Sequence, residues 1–230
     1  MKSLFLLLFF LSSPFYIVSQ NACIGYFAFE EGTSWTFTSY NKNNKKTGYI
    51  NYELLFHENE NNQELYTFYY ETFDKNNEKI SSGEFTGTCS GDTFTSSASG
   101  LFTESMPTTP DVQIEITGDF IQYPRNMYPG QKLPDASIEI ASSIENGMNL
   151  IKATTDISNR MVVGNEKIVT PAGTFECIKI SYDAKIKMII SRSVKVVEYV
   201  SIGIGIVRSE HYDKKGELTS YSEISKISKP

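Results

Sequence analysis

The sequence is poor in the side chains that carry most enzyme chemistry. Its 230 residues include only two histidines, His57 and His211, and three cysteines. A zinc site needs three or four ligands at compatible spacing, and the sequence contains no such set. The chain also lacks the G-x-S-x-G nucleophile elbow and a glycine-rich phosphate loop. We therefore predict that the protein is not an enzyme, that it has no catalytic, metal or cofactor site, and that both histidines lie at the surface.

A basic surface is missing as well. The formal net charge is −6, from 21 Lys and Arg against 27 Asp and Glu. Phosphate contacts need clustered Lys and Arg, so we predict no nucleic-acid partner. Two short basic clusters, at residues 42–46 and 214–215, are typical of solvated loops. The Arg208/Glu210 pair indicates a solvated cross-strand charge network rather than a catalytic pair.

Long hydrophobic runs are absent apart from the beginning of the chain. Lys2 precedes an apolar stretch at residues 4–11, which is too short for a membrane span of about 20 residues. Small and polar residues follow up to Ser19, as in a signal peptide before its cleavage site. We predict that residues 1–19 are a signal peptide and that cleavage follows Ser19. Residues 20–230 would then be exported to the periplasm, the cell envelope or the medium, without a transmembrane span.

An odd number of cysteines in an exported chain predicts one disulfide and one free thiol. Cys23 and Cys89 lie in turn-like surroundings, and we predict that they pair, whereas Cys177 lies inside a predicted strand. Two alternatives stay open. Cys23 follows a small residue, as in a lipoprotein processing site. Residues 87–91 match a cysteine version of the nucleophile elbow, which requires a helix next, but the following residues favour a strand or loop.

Aromatic residues and polar turns are what the chain has in quantity, with 14 Tyr and 15 Phe. Apolar and polar residues alternate, for example at residues 49–58, and clusters of Asn, Lys and Gly separate such stretches. This period of two is typical of antiparallel strands with one buried face. We predict an all-β fold with a minor helix, in which a single large antiparallel sheet curls into an open or incomplete β-barrel. The barrel would be one domain, residues 20–230.

Some stretches depart from regular strands. Residues 96–111 are predicted to be irregular or briefly helical, as a flap over one face of the sheet. Residues 120–134 contain three prolines and are predicted to be a loop that caps the barrel or covers a ligand. Later in the chain we predict separate strands at 149–157 and 159–170 and one long strand at 185–200 with a polar centre.

A tight turn that opens directly into a strand lies at residues 170–182. Pro171 fixes its φ angle, Gly173 accepts a φ that other residues resist, and Phe175 and Cys177 belong to the strand that follows. The segment 169–180, VTPAGTFECIKI, resembles the TPAGTFEC-x-K signature of exported bacterial proteins of unknown function called TapB-like.

Other segments carry the same resemblance. Residues 115–120, 123–124 and 130–134 are similar to the middle block of that family, and residues 203–210 to its GVGVVRSE strand. Gly203 and Gly205 in this last segment predict a bent or bulged strand over 202–212. Residues 199–201, Tyr-Val-Ser, depart from the expected Trp-Tyr-Ala-like segment.

The resemblance implies a half-closed barrel similar to periplasmic lipoprotein carriers, which hold acyl chains in an apolar concavity. It implies no activity, because the shared motifs are a turn, a bulge and a capping loop. We therefore predict a non-enzymatic exported protein that binds a hydrophobic small molecule or lipid-like ligand. The alternative is an envelope-assembly module that pairs with another envelope protein along an open sheet edge.

Overall fold

The computed structural model describes residues 30–60, 63–96, 112–144, 149–188 and 190–230. Within these ranges the chain forms thirteen strands and no helix. The strands are β1 (Ser34–Asn41), β2 (Lys46–Glu60), β3 (Gln63–Asp74), β4 (Lys79–Ser90), β5 (Thr93–Ser96), β6 (Val112–Asp119), β7 (Ile121–Pro124), β8 (Ala136–Ile144), β9 (Asn149–Thr170), β10 (Gly173–Lys187), β11 (Ser191–Ser201), β12 (Gly205–Tyr212) and β13 (Leu218–Ser228). The predicted signal peptide, Cys23 and the predicted flap after Ser96 lie outside the described residues. No helix in the described ranges is able to cross a membrane.

All thirteen strands belong to one antiparallel sheet. Its order is β6-β8-β9-β10-β11-β12-β13-β1-β2-β3-β4-β5-β7. The sheet is nearly closed into a barrel, with one unsealed seam between its first and last strands. This confirms the predicted all-β fold with a single large curled antiparallel sheet. The predicted minor helix falls on residues outside the described ranges.

The seam lies inside one short stretch of chain. β6 and β7 are consecutive, with only Phe120 between them. β6 pairs with β8, at one end of the sheet order, whereas β7 pairs with β5, at the other end. The run from Val112 to Pro124 is therefore shared between the two sheet ends, its first half with one and its second half with the other. Sequence analysis predicted a loop at 120–134; the correction is that its first residues form an edge strand, which the Pro124 ring ends.

The inner face of the barrel holds the main core. In β3 the buried residues alternate with half-exposed ones, and Tyr66 and Phe68 are 3% and 2% exposed. Leu54 of β2 and Phe85 of β4 lie directly opposite Phe68 in register, and the rings of Phe68 and Phe85 stack at 4.9 Å. Side chains directly opposite each other on neighbouring strands lie on the same face of the sheet, and contacts between them stabilise it.

The turn at Pro171 is confirmed as the hairpin between β9 and β10. Gly173 has a φ of +145°, and Thr170 lies opposite it in register. The amide of Ala172 donates to the hydroxyl of Thr170 over 3.2 Å. After the turn, Cys177 is buried, and Phe175 packs against the smaller core cluster to which Cys177 belongs.

Gly203 and Gly205 have φ values of +75° and +79° and belong to the turn between β11 and β12. Gly203 lies between the two strands and Gly205 begins β12, so the strand starts three residues later than the predicted 202–212. The predicted bulge is present within it: Tyr199 pairs with Arg208 and Val200 with Ile206, so Val207 of β12 is the extra residue. Another correction concerns the single long strand predicted at 185–200: β10 ends at Lys187 and β11 begins at Ser191, so the predicted polar centre, residues 191–193, lies at the start of β11.

Candidate functional site

A groove of about 560 Å³ lies at one end of the barrel. Residues of β10 and β11 line it, together with the turn between β12 and β13. In register Asp183 lies opposite Lys195, and Lys185 lies opposite Ser193, so the four side chains share one face of the sheet. The intervening residue Ala184 is buried in the main core, which shows that the groove occupies the exposed face.

Four lysines surround the groove: Lys185, Lys195, Lys214 and Lys215. All four are exposed. In the part of the chain that the structure describes, none of them forms an ion pair with a carboxylate. The groove is therefore a local concentration of unpaired positive charge in a chain whose net charge is −6.

The two carboxylates of the groove are engaged by their own neighbours. Asp183 accepts a hydrogen bond from the side-chain amide of Asn159 over 2.8 Å. Asp213 accepts from the backbone N–H groups of Lys215 and Glu217 over 2.8 and 2.9 Å, which is the geometry of an Asx turn. This turn fixes the backbone at Lys215 and turns the Asp213 carboxylate toward its own loop.

A second polar cluster is buried inside the barrel, and it originates in a bulge of β9. Ser181 pairs with Met161 and Asp183 with Ser158, so Asn159 and Arg160 together oppose the single residue Tyr182. Asn159 has a φ of +57°, a conformation that asparagine tolerates better than most residues. The extra residue shifts the alternation by one position, so that Arg160 points inward.

The bulge corrects the prediction of two strands at 149–157 and 159–170. The structure has one strand, β9, which runs through the bulge from Asn149 to Thr170. Asn159 interrupts the alternation of buried residues without ending the hydrogen bonding to β10. In the sequence this interruption looks like a turn.

Arg160 is only 2% exposed and fastens the seam from within. One of its terminal nitrogens, Nη1, donates to the carbonyl of Gln122 in β7 over 3.0 Å and to that of Pro134 over 3.2 Å. The guanidinium also lies over the ring of Tyr123, 5.3 Å from its centroid. Its Nε and Nη2 atoms are buried, and the described residues supply no hydrogen-bond partner for them. The Arg160 side chain of β9 is thus hydrogen-bonded directly to the edge strand β7.

Glu198 supplies the negative charge of this cluster. The hydroxyls of Tyr182 and Tyr123 donate to its two carboxylate oxygens over 2.7 and 3.0 Å. Burial raises the pKa of Glu198, while the hydroxyl of Tyr182 and the charge of Arg160 lower it. Burial is also the main reason that the pKa of each tyrosine lies well above its usual value. We call Tyr123, Arg160, Tyr182 and Glu198 the Arg160 cluster.

The Arg160 cluster has the chemistry of a structural network. A nucleophile or general base must reach a substrate, whereas Glu198 is 3% exposed and both of its oxygens accept tyrosine hydroxyls. A buried cation and a buried carboxylate in the same network compensate each other's charge, and removal of either is costly.

The predicted Arg208/Glu210 network is present but is less solvated than predicted. Arg208 lies 2.9 Å from a carboxylate oxygen of Glu210 and 3.2 Å from one of Glu223, and each of these glutamates is 8% exposed. The Tyr212 hydroxyl donates to Glu210 over 2.6 Å, and the ring of Tyr221 lies under the guanidinium at 4.4 Å. Burial raises the pKa of Glu223, and the charge of Arg208 lowers it. The aromatic rings cover the charges, which the sequence pattern did not reveal.

Neither histidine is freely exposed, which corrects the prediction of two surface residues. The ring of His57 stacks on Tyr66 at 4.5 Å, and its Nε2 lies 3.5 Å from the buried carboxylate of Glu64. Burial, and secondarily the charge of Arg192, lower the pKa of His211. Among the described residues there is no group of three or more His, Cys, Asp or Glu side chains that could hold a metal ion.

The cysteines lie in different parts of the sheet. Cys177 is a buried free thiol whose pKa burial raises to about 11. Cys89 is fully buried in the main core on β4. Its predicted partner, Cys23, is outside the described residues, so the Cys23–Cys89 bond stays a prediction. After Gly91 the chain enters β5 and not a helix, which rules out the geometry of a nucleophile elbow at Cys89.

Comparisons with known proteins agree with this architecture. The profile of the DUF3108-like family matches residues 30–224, which is most of the chain. The chain belongs to the DUF3108-like family. No curated protein sequence matches it.

Two solved structures are similar to this DUF3108-like chain. One is a predicted exported protein with a YmcC-like fold from Bacteroides fragilis NCTC 9343, with 26% identity and a TM-score of 0.77; the match covers 90% of this chain and 100% of that one. The other is a predicted lipoprotein from Parabacteroides distasonis ATCC 8503, with 23% identity and a TM-score of 0.77, covering 90% of this chain and 99% of that one. The resemblance to exported bacterial families is therefore supported at the level of family and fold, and the TapB-like name stays a prediction.

Neither polar site is visible in the sequence as a motif. Arg160 lies in the predicted strand 159–170, and nothing in that stretch marks it as buried. The local signal is the preceding Asn159, which tolerates the conformation that a bulge requires. The lysines of the groove come from one loop cluster, 214–215, and from two strand residues, Lys185 and Lys195, so their convergence depends on where the turn between β12 and β13 lies.

Proposed function

We propose that this protein is a non-enzymatic exported protein that binds the anionic head group of a lipid-like molecule in the lysine groove. The observation that carries the proposal is the set of four lysines around the groove, none of which forms an ion pair within the described residues. The volume of about 560 Å³ suits a small ligand or a head group. The predicted signal peptide supports a location in the cell envelope, as do the two structural neighbours, one a predicted exported protein and the other a predicted lipoprotein.

The chemistry of the groove favours a phosphate or carboxylate group. Lysine ammonium groups donate charge-assisted hydrogen bonds to such oxygens, and several of them converge here. Asp183 already accepts a hydrogen bond from Asn159, and Asp213 accepts backbone N–H groups of its own turn. The two aspartates therefore compete little with a ligand for the lysines. Because the groove is open to solvent, we expect moderate and salt-dependent affinity.

The inner face of the barrel is less suitable for the ligand. The main core cluster occupies it with large side chains such as Phe68, Phe94 and Ile180. The apolar concavity that was predicted from sequence is therefore occupied by side chains along the described strands. The proposal accordingly assigns the head group to the exposed face and leaves the acyl chains outside the barrel.

The test is titration of the purified protein with dihexanoyl phosphatidylglycerol below its micelle concentration, followed by calorimetry or NMR. We expect binding that is absent with dihexanoyl phosphatidylcholine. Ser193→Trp should fill the groove from an exposed position, and Lys195→Glu should reverse part of its charge, so each should weaken binding at least tenfold. Lys229→Glu, an exposed change of the same charge on the C-terminal tail, is the matched control. Equal binding by Ser193→Trp and the wild type would end the proposal.

The seam supports a second candidate, an envelope-assembly module that pairs with another chain. β6 and β7 each have one edge for which the described strands supply no ladder. Exposed edges of this kind can accept a strand from a partner. A photo-crosslinker at the exposed Thr117 on β6 should then capture a partner in the native envelope, and one at Lys152, inside the sheet on β9, should not. Equal labelling at both positions would contradict this candidate.

A further inference from the structure

The end of the barrel that holds the groove also collects most of the hairpin turns rich in lysine. In an antiparallel succession of strands, alternate turns lie at the same end. The turns after β1, β3, β10 and β12 therefore share one end, which we call the basic end. Its exposed cationic side chains are Lys42, Lys45, Lys46, Lys75, Lys79, Lys185, Lys187, Arg192, Lys195, Lys214 and Lys215.

Among the described residues, carboxylates at the basic end are fewer, and several are already bound. They are Glu71, Asp74, Glu78, Glu139, Asp156, Asp183, Asp213 and Glu217. Asp74 and Asp213 accept backbone N–H groups of their own turns. Glu71, Glu139 and Asp156 pair with Lys79, Lys152 and Lys187. In the part of the chain that the structure describes, the other lysines of this end form no ion pair with a carboxylate, so the end presents a positive surface although the chain is acidic overall.

The turn between β10 and β11 adds exposed apolar side chains to this positive surface. Met188 is 44% exposed and Ile190 is 81% exposed. Ile189, between them in the sequence, lies outside the described residues. Lys187 and Arg192 flank the turn, and Lys185 lies two residues before Lys187. An apolar tip surrounded by long cationic side chains matches the interface of an anionic bilayer, where apolar groups enter the head-group layer and ammonium groups meet phosphates.

We propose that the basic end docks on the surface of an anionic lipid bilayer, with Met188 and Ile190 inserted into the head-group region. Charge complementarity selects this partner, because the apolar residues exposed at the opposite end of the barrel, Val169 and Ile202, have different neighbours. The lysines on the strands beside Val169, Lys167 and Lys179, are paired with Glu176 and Glu166. This docking deepens the proposed function, since it places the lysine groove against the layer of head groups. It does not require that the groove hold a single lipid molecule.

The test is co-sedimentation of the purified protein with phosphatidylcholine vesicles that contain 0 or 30% phosphatidylglycerol. We expect binding only to the anionic vesicles, and a steep loss as salt is raised. Lys187→Glu with Arg192→Glu should reduce partitioning by about fivefold or more per residue, since each cation near such a surface contributes about that factor. Met188→Ser with Ile190→Ser should reduce it about tenfold, because both side chains then remain in water.

Val169→Ser with Ile202→Ser is the matched control, because it removes two comparably exposed apolar side chains at the opposite end, one at the end of β9 and one in the turn after β11. It should bind anionic vesicles like the wild type. Equal binding to neutral vesicles, or tip variants that bind like the wild type, would overturn the docking proposal. A loss in the charge variant alone would also overturn it, because that result describes a site for any polyanion.

The same proteins separate docking from head-group binding. Ser193→Trp should lose dihexanoyl phosphatidylglycerol and keep most of its vesicle binding. The Met188→Ser, Ile190→Ser variant should show the opposite pattern. If Ser193→Trp and the wild type bind the short-chain lipid equally while the tip variant fails on vesicles, the proposed function is wrong and the docking surface stands.

Discussion

Replacing Arg160 by methionine would remove a buried cation that bonds β9 to β7 and to the segment before β8. Two hydrogen bonds from a charged nitrogen, to Gln122 and Pro134, would be lost. Hydrogen bonds to charged groups contribute about 1.5 to 3 kcal/mol each. Glu198 would also stay buried without the compensating charge, and breaking such an arrangement costs about 3 to 5 kcal/mol. Methionine keeps most of the apolar stem and relieves the two unpartnered nitrogens, so we expect a net loss of about 3 to 5 kcal/mol.

The pH dependence of this loss has a definite sign. Burial holds the pKa of Glu198 above its value in the unfolded chain, and removal of Arg160 should raise it further. A carboxyl group with a raised pKa in the folded state contributes most at low pH, and this contribution is lost as the pH rises through that pKa. The deficit of Arg160→Met should therefore be large at neutral pH and smaller in acid, below the raised pKa of Glu198, where this carboxyl group is protonated.

Urea denaturation of the wild type and Arg160→Met at both pH values measures this difference. Lys167→Met is the matched control on the same strand, because its pair with Glu176 is exposed and should contribute at most about 1 kcal/mol. Adding Glu198→Gln to Arg160→Met should recover part of the loss at neutral pH. A deficit of the same size at both pH values, or strict additivity in the double variant, would refute the role assigned to the Arg160–Glu198 network.

Three further predictions test the sheet and its side chains. Gly118→Ala should destabilise the protein by about 3 kcal/mol or more, because the new Cβ would lie 2.1 Å from the Ser137 carbonyl oxygen and the backbone φ is +114°. Gly130→Ala, whose new Cβ would lie in open space, is the control and should cost about 1 kcal/mol. Thermal unfolding measures both. Thiol titration without reductant should find one thiol after unfolding and almost none in the folded protein at pH 8, since the pKa of the Cys177 thiol is about 11 and Cys23 is predicted to pair with Cys89; three thiols would contradict this pairing. Arg208→Met should destabilise the protein more at neutral than at acidic pH, because Arg208 lowers the raised pKa of Glu223; an equal effect at both would argue against the pair.

The strands were predictable where alternation and turn residues coincide. The hairpin at Pro171 and Gly173 was identified from local chemistry, since a fixed φ and a positive φ leave few conformations for the backbone. The stretch 49–58 became part of β2, and its predicted inward face holds at Ile50 and Leu54, which are buried. Leu55 is an extra residue in the pairing with β3, so Phe56, which was predicted on the same face, is 59% exposed. Where no bulge intervenes, the local preference and the final sheet agree, as foldable sequences require.

The remaining features depend on residues distant in the sequence. Asn159 looks like a turn in isolation, yet pairing with β10 continues on both sides of it and converts it into a bulge. Ile121 to Pro124 belongs to a segment, residues 120–134, whose three prolines indicate a loop. It becomes a strand only because β5 offers a free edge. The burial of Glu198 likewise follows from Tyr123 and Tyr182 on other strands. No window of a few residues contains that information.

Phe120 has a geometrical consequence for the width of the barrel. It is the single residue between β6, which pairs with β8, and β7, which pairs with β5. The number of residues in this link therefore fixes the stagger of the two sheet ends relative to each other. For a given number of strands, stagger determines diameter and tilt. One residue inserted at this link would turn Ile121 and Tyr123 from the interior to the outside or force a new stagger on the whole circumference. The calibre of the barrel is thus set by the spacing at one position in the middle of the chain.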